Sequence, residues 1–116
     1  MTLVDLEARL IKSWIASASP GWKRGWSYVD QIDHADGLFF LCPTCFITNS
    51  GRVGTHSILC WSPEAPGDIP PGPGRWYLQG TGLHDLTLKG VTSDSVLLTS
   101  GCSAHFFVRE GRIEMC

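Results

Sequence analysis

Two pairs of residues in this sequence are typed and spaced for metal chemistry: Cys42-Pro-Thr-Cys45 and Cys102-Ser-Ala-His105. Thiolate and imidazole are the ligands that Zn²⁺ prefers, and a structural zinc takes four of them in a tetrahedron. Two thiols separated by two residues sit on a tight turn, where both reach one ion and the backbone N–H groups of the turn point at the sulfurs. The CxxC alone also fits a redox pair. That chemistry wants a thioredoxin-like βαβ setting, and the sequence offers a strand before Cys42 but no clear helix after Cys45. The 56 residues between Cys45 and Cys102 exceed finger spacing, so the site would be stitched between distant strands and would close a long loop. The expected ligands are therefore Cys42, Cys45, Cys102 and His105, holding a structural Zn²⁺.

A fifth group competes. Residues 105–109 and 112–116 flank Glu110-Gly111, a hairpin signal with a two-residue loop. In that register Arg109 faces Arg112, Val108 faces Ile113, Phe107 faces Glu114, Phe106 faces Met115, and His105 faces Cys116. Alternation places Phe106, Val108, Ile113 and Met115 on one apolar face. Opposed residues have Cβ atoms roughly 5 Å apart, so Cys116 is the reserve ligand beside His105.

The other candidates carry less chemistry. Cys60 lies inside Ser57-Ile58-Leu59-Cys60-Trp61 and reads as a buried free thiol. His56 is four residues from it, about 13 Å along an extended strand, too far for a shared ion. Taken singly, His34, His56 and His84 read as surface or locally hydrogen-bonded histidines. The polar segments Thr55-His56-Ser57 and Gly80-Thr81-Gly82 stand beside Trp61 and Trp76. This makes His56, Trp61, Trp76 and Thr81 candidate ligand-binding residues, although each segment also reads as an ordinary turn.

These residues need elements to hold them. Thr2 and Asp5 form a capping-box pattern, and Leu3, Leu6, Leu10, Trp14 and Ala18 recur at helical spacing, which predicts a helix over 2–18 ending at Ser19-Pro20. Residues 20–36 read as irregular, with Trp22, Trp26 and Tyr28 near Lys23 and Arg24. From Gly37 the pattern turns to strands: 38–41, 57–61, 76–78, 86–88 and 95–99, then the terminal hairpin. Residues 62–74 contain five prolines, cannot continue a ladder, and read as a solvated connection. The expected fold is mostly β (α+β): one N-terminal helix on a small antiparallel sheet, stapled by zinc, with a β core over 37–116 and a single domain over 1–116.

Composition sets limits on function. The chain has 116 residues, 43% hydrophobic and 17% charged, with a net charge of −2, so it carries no global basic field for nucleic acid. No apolar run is long enough to span a bilayer, and no secretory signal is evident. Five cysteines without such a signal favour metal binding in a reducing cytoplasm over a disulfide framework.

The strings Gly-Leu-Phe-Phe-Leu-Cys-Pro-Thr-Cys-Phe, Gly-Thr-His-Ser-Ile-Leu-Cys-Trp, Gly-Arg-Trp with Gly-Thr-Gly downstream, and Gly-Cys-Ser-Ala-His-Phe-Phe-Val-Arg-Glu-Gly-Arg-Ile span about residues 37–113. Together with a weaker likeness over the N-terminal segment, they resemble small uncharacterised proteins of bacteriophage and prophage genomes. The resemblance implies a phage origin, the cytoplasm of a bacterial host, and a Cys/His site at Cys42, Cys45, Cys102 and His105. It implies no activity.

The functional expectation is a binding module that captures a host protein or a nucleotide-like small molecule in counter-defence. The alternatives are a zinc-dependent hydrolase, for which no HExxH-type motif is present, and a purely structural phage protein. A homo-oligomer is compatible with all three, and no strong nucleic-acid or membrane binding is expected. A gel-shift titration at physiological salt should accordingly show only weak, non-selective association with DNA or RNA, and a sub-micromolar sequence-selective complex would contradict the charge argument.

Overall fold

The computed structural model of the chain describes residues 1–18, 21–71, 74–98 and 101–116, and the side chains at these positions except 16–18 and 21–23. It is mostly β. Strands β1 (Arg9–Ala18), β2 (Gly21–Val29), β3 (Gly37–Leu41) and β4 (Ser57–Trp61) form an antiparallel sheet in the order β2-β1-β3-β4. Strands β5 (Trp76–Gln79) and β6 (Thr87–Gly90) pair with each other. Strands β7 (Val96–Leu97), β8 (His105–Arg109) and β9 (Arg112–Met115) form a third sheet. Among the described residues no helix is long and apolar enough to cross a membrane.

The first sheet is covered on both faces, and strand alternation sorts its side chains between them. In β3 and β4, Leu38 opposes Cys60 and Phe40 opposes Ile58, and these four residues join the main core with Leu3, Leu6, Leu10, Leu86, Leu88, Phe106 and Val108. The alternate residues Phe39, Leu59 and Trp61 turn the other way, onto a second cluster with Ile11, Ala65 and Ile69. The Phe40 ring meets Phe106 edge-on at 5.9 Å between centroids, joining the first sheet to the third across the main core.

The predicted helix over 2–18 is replaced by a single turn followed by a strand. The capping box forms: the Thr2 N–H donates to the Asp5 carboxylate, and the Asp5 N–H donates to Thr2 Oγ1. Glu7 then takes a left-handed φ of 55° and stops the turn. The decisive pair is Leu10 and Ile11. They are adjacent, both buried, and belong to opposite clusters, an arrangement that a strand between two covered faces provides and a one-sided amphipathic helix does not. Long-range pairing of β1 with β2 and β3 overrides the local helical spacing.

Residues 20–36, expected to be irregular, contain β2 and a short 3₁₀ turn at Ile32–His34. Trp26 packs against Phe39 at 5.1 Å and Tyr28 at 5.6 Å. A short helix α1 (Pro43–Asn49) follows Cys42 where none was expected, with Pro43 in its first turn and Ser50 closing it at φ 55°. The proline-rich stretch is not a fully solvated connection. Ala65 and Ile69 are buried over the second face of the sheet, and the Trp61 indole N–H donates to the Pro70 carbonyl at 2.9 Å. The predicted helix stop at Ser19-Pro20, the strand end at Thr99, residues 72 and 73 and the side chain of Trp22 lie outside the described residues.

The terminal hairpin has the expected register, from Phe106 opposite Met115 to Arg109 opposite Arg112. Glu110 and Gly111 have φ of 50° and 75°, the backbone twist of a type I′ turn. Gly37 is required for a different reason. It opposes Trp61, and a Cβ there would sit 2.5 Å from Trp61 Cε3 and 2.8 Å from Cζ3. Gly37→Ala should therefore displace the indole that anchors the second cluster and destabilise the protein by about 1–3 kcal/mol in a urea titration.

Candidate metal centre

Cys42 is the residue after β3, two positions beyond Phe40 and on the same face of the strand. Its N–H donates to the His56 carbonyl at 2.9 Å, extending the β3–β4 ladder by one step, so His56 faces Cys42 across the hairpin. Cys45 lies one turn into α1. Cys102 lies in the connection from β7 to β8, shaped by left-handed φ at Gly101 (67°) and Ser103 (53°) and tied back by the Leu98 N–H donating to Ala104 O at 2.8 Å. Packing of Phe40 on Phe106 brings that connection against the end of β3.

The four ligand atoms of Cys42, Cys45, His56 and Cys102 all lie within 4.8 Å of one another, close enough to hold a metal ion. Zn–S bonds near 2.3 Å and Zn–N bonds near 2.05 Å imply tetrahedral edges of about 3.8 Å between sulfurs and about 3.6 Å between sulfur and nitrogen. Cys42 Sγ lies 3.6 Å from Cys102 Sγ, and His56 Nε2 lies 3.4 Å from Cys102 Sγ. The remaining edges, none above 4.8 Å, need contract by about 1 Å at most. His56 Nδ1 lies 3.4 Å from the Ser57 carbonyl, the outer partner that fixes the tautomer leaving Nε2 as the ligand.

The thiols differ in acidity. Burial pushes the Cys42 thiol up to about 12, against the opposing effect of the Cys45 and Thr44 backbone N–H groups that point at its sulfur. Burial also raises Cys45, with the hydrogen bond to Cys102 adding to the rise. Cys102 is lowered to about 7, chiefly by its hydrogen bond with His56 and further by the Ala104 N–H. An attacking CxxC thiol needs a depressed pKa, and both members of this pair move the other way. The arrangement suits a cation whose charge replaces the protons.

The structure thus gathers Cys42, Cys45 and Cys102 as expected, but with His56 in the fourth place instead of His105. His105 opens β8 with its side chain exposed, 6.5 Å from the Phe107 ring, because its neighbour Phe106 points into the core. Cys116, the reserve ligand, is also exposed, and its backbone N–H donates to the His105 carbonyl at 3.1 Å. Cys60 is buried, and burial raises its thiol. The signal for His56 lay in the two apolar runs themselves, since antiparallel pairing of 37–41 with 57–61 puts residue 56 opposite residue 42.

Of the residues expected to bind a ligand, His56 and Trp76 line one cleft of about 960 Å³, together with Cys102, Arg75 and the segment 57–60. Trp61 and Thr81 are elsewhere. Trp61 fills the second cluster. The Thr81 N–H and hydroxyl each donate to Asp85 at 2.8 Å, and with Gly82 they hold that carboxyl down to about 2, as a structural turn.

The chain matches no protein-family model, no curated protein and no solved structure. Its site is therefore argued from its own geometry. His56→Ala should lower bound metal at least tenfold in elemental analysis of purified protein, whereas His105→Ala and Cys116→Ser should leave metal content within error of the parent.

Proposed function

We propose that the chain is a zinc-stapled binding module, of phage type by its sequence resemblance, that captures a partner or small molecule in a bacterial cytoplasm. The observation carrying this reading is the Cys42–Cys45–His56–Cys102 group, whose closest separations match the edges of a zinc tetrahedron. Three thiolates and one imidazole are the donor set of structural zinc, and bound zinc supplies a cross-link between three chain segments. Four protein ligands fill the tetrahedron, so zinc hydrolysis lacks the open position it needs. The cleft of about 960 Å³ beside His56 and Cys102 supplies the binding surface, at the upper end of the usual range for small-molecule sites.

Protein purified without added metal should carry about one zinc per chain, and less than a tenth would refute the staple. The thiol acidities set how binding depends on pH. Near neutrality Cys42 and Cys45 hold their protons and Cys102 is partly ionised, so zinc uptake should release between about two and three protons from the thiols. By pH 8.5 Cys102 is already a thiolate, and release from the thiols should fall toward about two. Protons and zinc compete for the same sulfurs, so affinity should drop at least about a hundredfold per pH unit on acidification near neutrality. Calorimetry in buffers of different ionisation enthalpy measures the release directly.

A further inference from the structure

We infer that the cleft beside the metal centre takes an organic anion, a phosphate or carboxylate group carried on an apolar or aromatic body, with Arg75 as its counter-ion. The inference rests on the reading of the cleft as the ligand site and gives that ligand a chemical class.

Among the described residues that line the cleft, Arg75 is the only Asp, Glu, Lys or Arg. Its Nη2 is held by neutral carbonyls, Pro66 O at 2.9 Å and Gly67 O at 3.2 Å. Among the described residues its charge meets no carboxylate, and its Nη1 is shielded from solvent without a hydrogen-bond partner. The indole N–H of the adjacent Trp76 is orphaned in the same way. Both orphaned atoms are closed off by protein, so a ligand in the cleft meets Arg75 through its guanidinium charge, which no carboxylate among the described residues neutralises. The guanidinium charge acts through the low-dielectric interior as well as by contact.

The rest of the lining sets the remainder of the ligand. Val96, Leu97 and Ile58 are apolar, and Leu97 stays 55% exposed, so an apolar body in the cleft removes surface that the fold leaves wet. Three thiolates outweigh a divalent cation by one charge. The His56–Cys102 wall is therefore negative when loaded, and the anionic group belongs at the Arg75–Trp76 end.

The test compares matched probes on the metal-loaded protein: 8-anilinonaphthalene-1-sulfonate against neutral N-phenyl-1-naphthylamine, and AMP against adenosine. The expected result is saturable binding of one equivalent of an anionic member, at least tenfold tighter than its neutral partner. Preference in the AMP pair identifies a nucleoside phosphate, and preference in the naphthyl pair alone identifies a simpler organic acid. Arg75→Gln should abolish the preference. Equal affinity for anion and neutral partner, a preference that survives Arg75→Gln, or no binding of any probe at millimolar concentration would each overturn the inference. Zinc content, measured on the same samples, reports separately on the staple, so loss of zinc with anion preference intact would refute the staple alone.

Discussion

Cys42, Cys45, His56 and Cys102 come from three segments separated by up to 60 residues, and they converge only because one face of the β3–β4 hairpin is packed against the start of β8. The edge-on contact of Phe40 with Phe106 is the centre of that packing. Cys42 follows Phe40 by two residues on the same strand face, and Cys102 precedes Phe106 by four, so the apolar contact aims both sulfurs at one point. The clustering has a cost of its own. Thiols gathered in a buried corner are hard to ionise, as the raised Cys42 and Cys45 show, and a cation there offsets what the core alone must otherwise carry. On the proposed reading, metal binding and folding would in this sense be one equilibrium.

Much of this could be read from residue types. The CxxC, the isolated buried Cys60 and most strands from Gly37 onward follow from local patterns, and the terminal hairpin follows in full register because Glu110-Gly111 dictates its turn. Three of the four clustered ligands were likewise legible, because thiols at CxxC spacing and a Cys near a turn carry their chemistry in the sequence itself.

The misreadings share one cause, the reach of tertiary pairing. Helical spacing at Leu3, Leu6 and Leu10 is genuine, yet Leu10 and Ile11 are claimed by opposite faces of a sheet that no local window contains. His105 lost its place to His56 by the same alternation that fixed the hairpin. With Phe106 and Val108 inward, His105 faces out, and spacing after Cys102 could not outweigh that parity. Along its own strand His56 has only the remote Cys60 for a partner thiol, whereas the thiol beside it is that of Cys42 across the ladder. Ala65 and Ile69 were hidden among prolines because their burial depends on the second face of the first sheet.

The placement of the cleft follows from the same geometry. Its walls are residues 56–60, running into and along β4, and the β7–β8 region with Cys102, the two parts that the ligand cluster ties together. Residues 57–60 belong to the four-stranded sheet and the β7–β8 wall to the three-stranded one, so the separation of these walls is set by the core between the sheets and the thiol cluster at their edge. The proposed ligand, held between Arg75 and the apolar Val96 and Leu97, would touch the same cleft. On the reading proposed above, metal and ligand would favour one arrangement of the same two walls, and each should tighten the binding of the other.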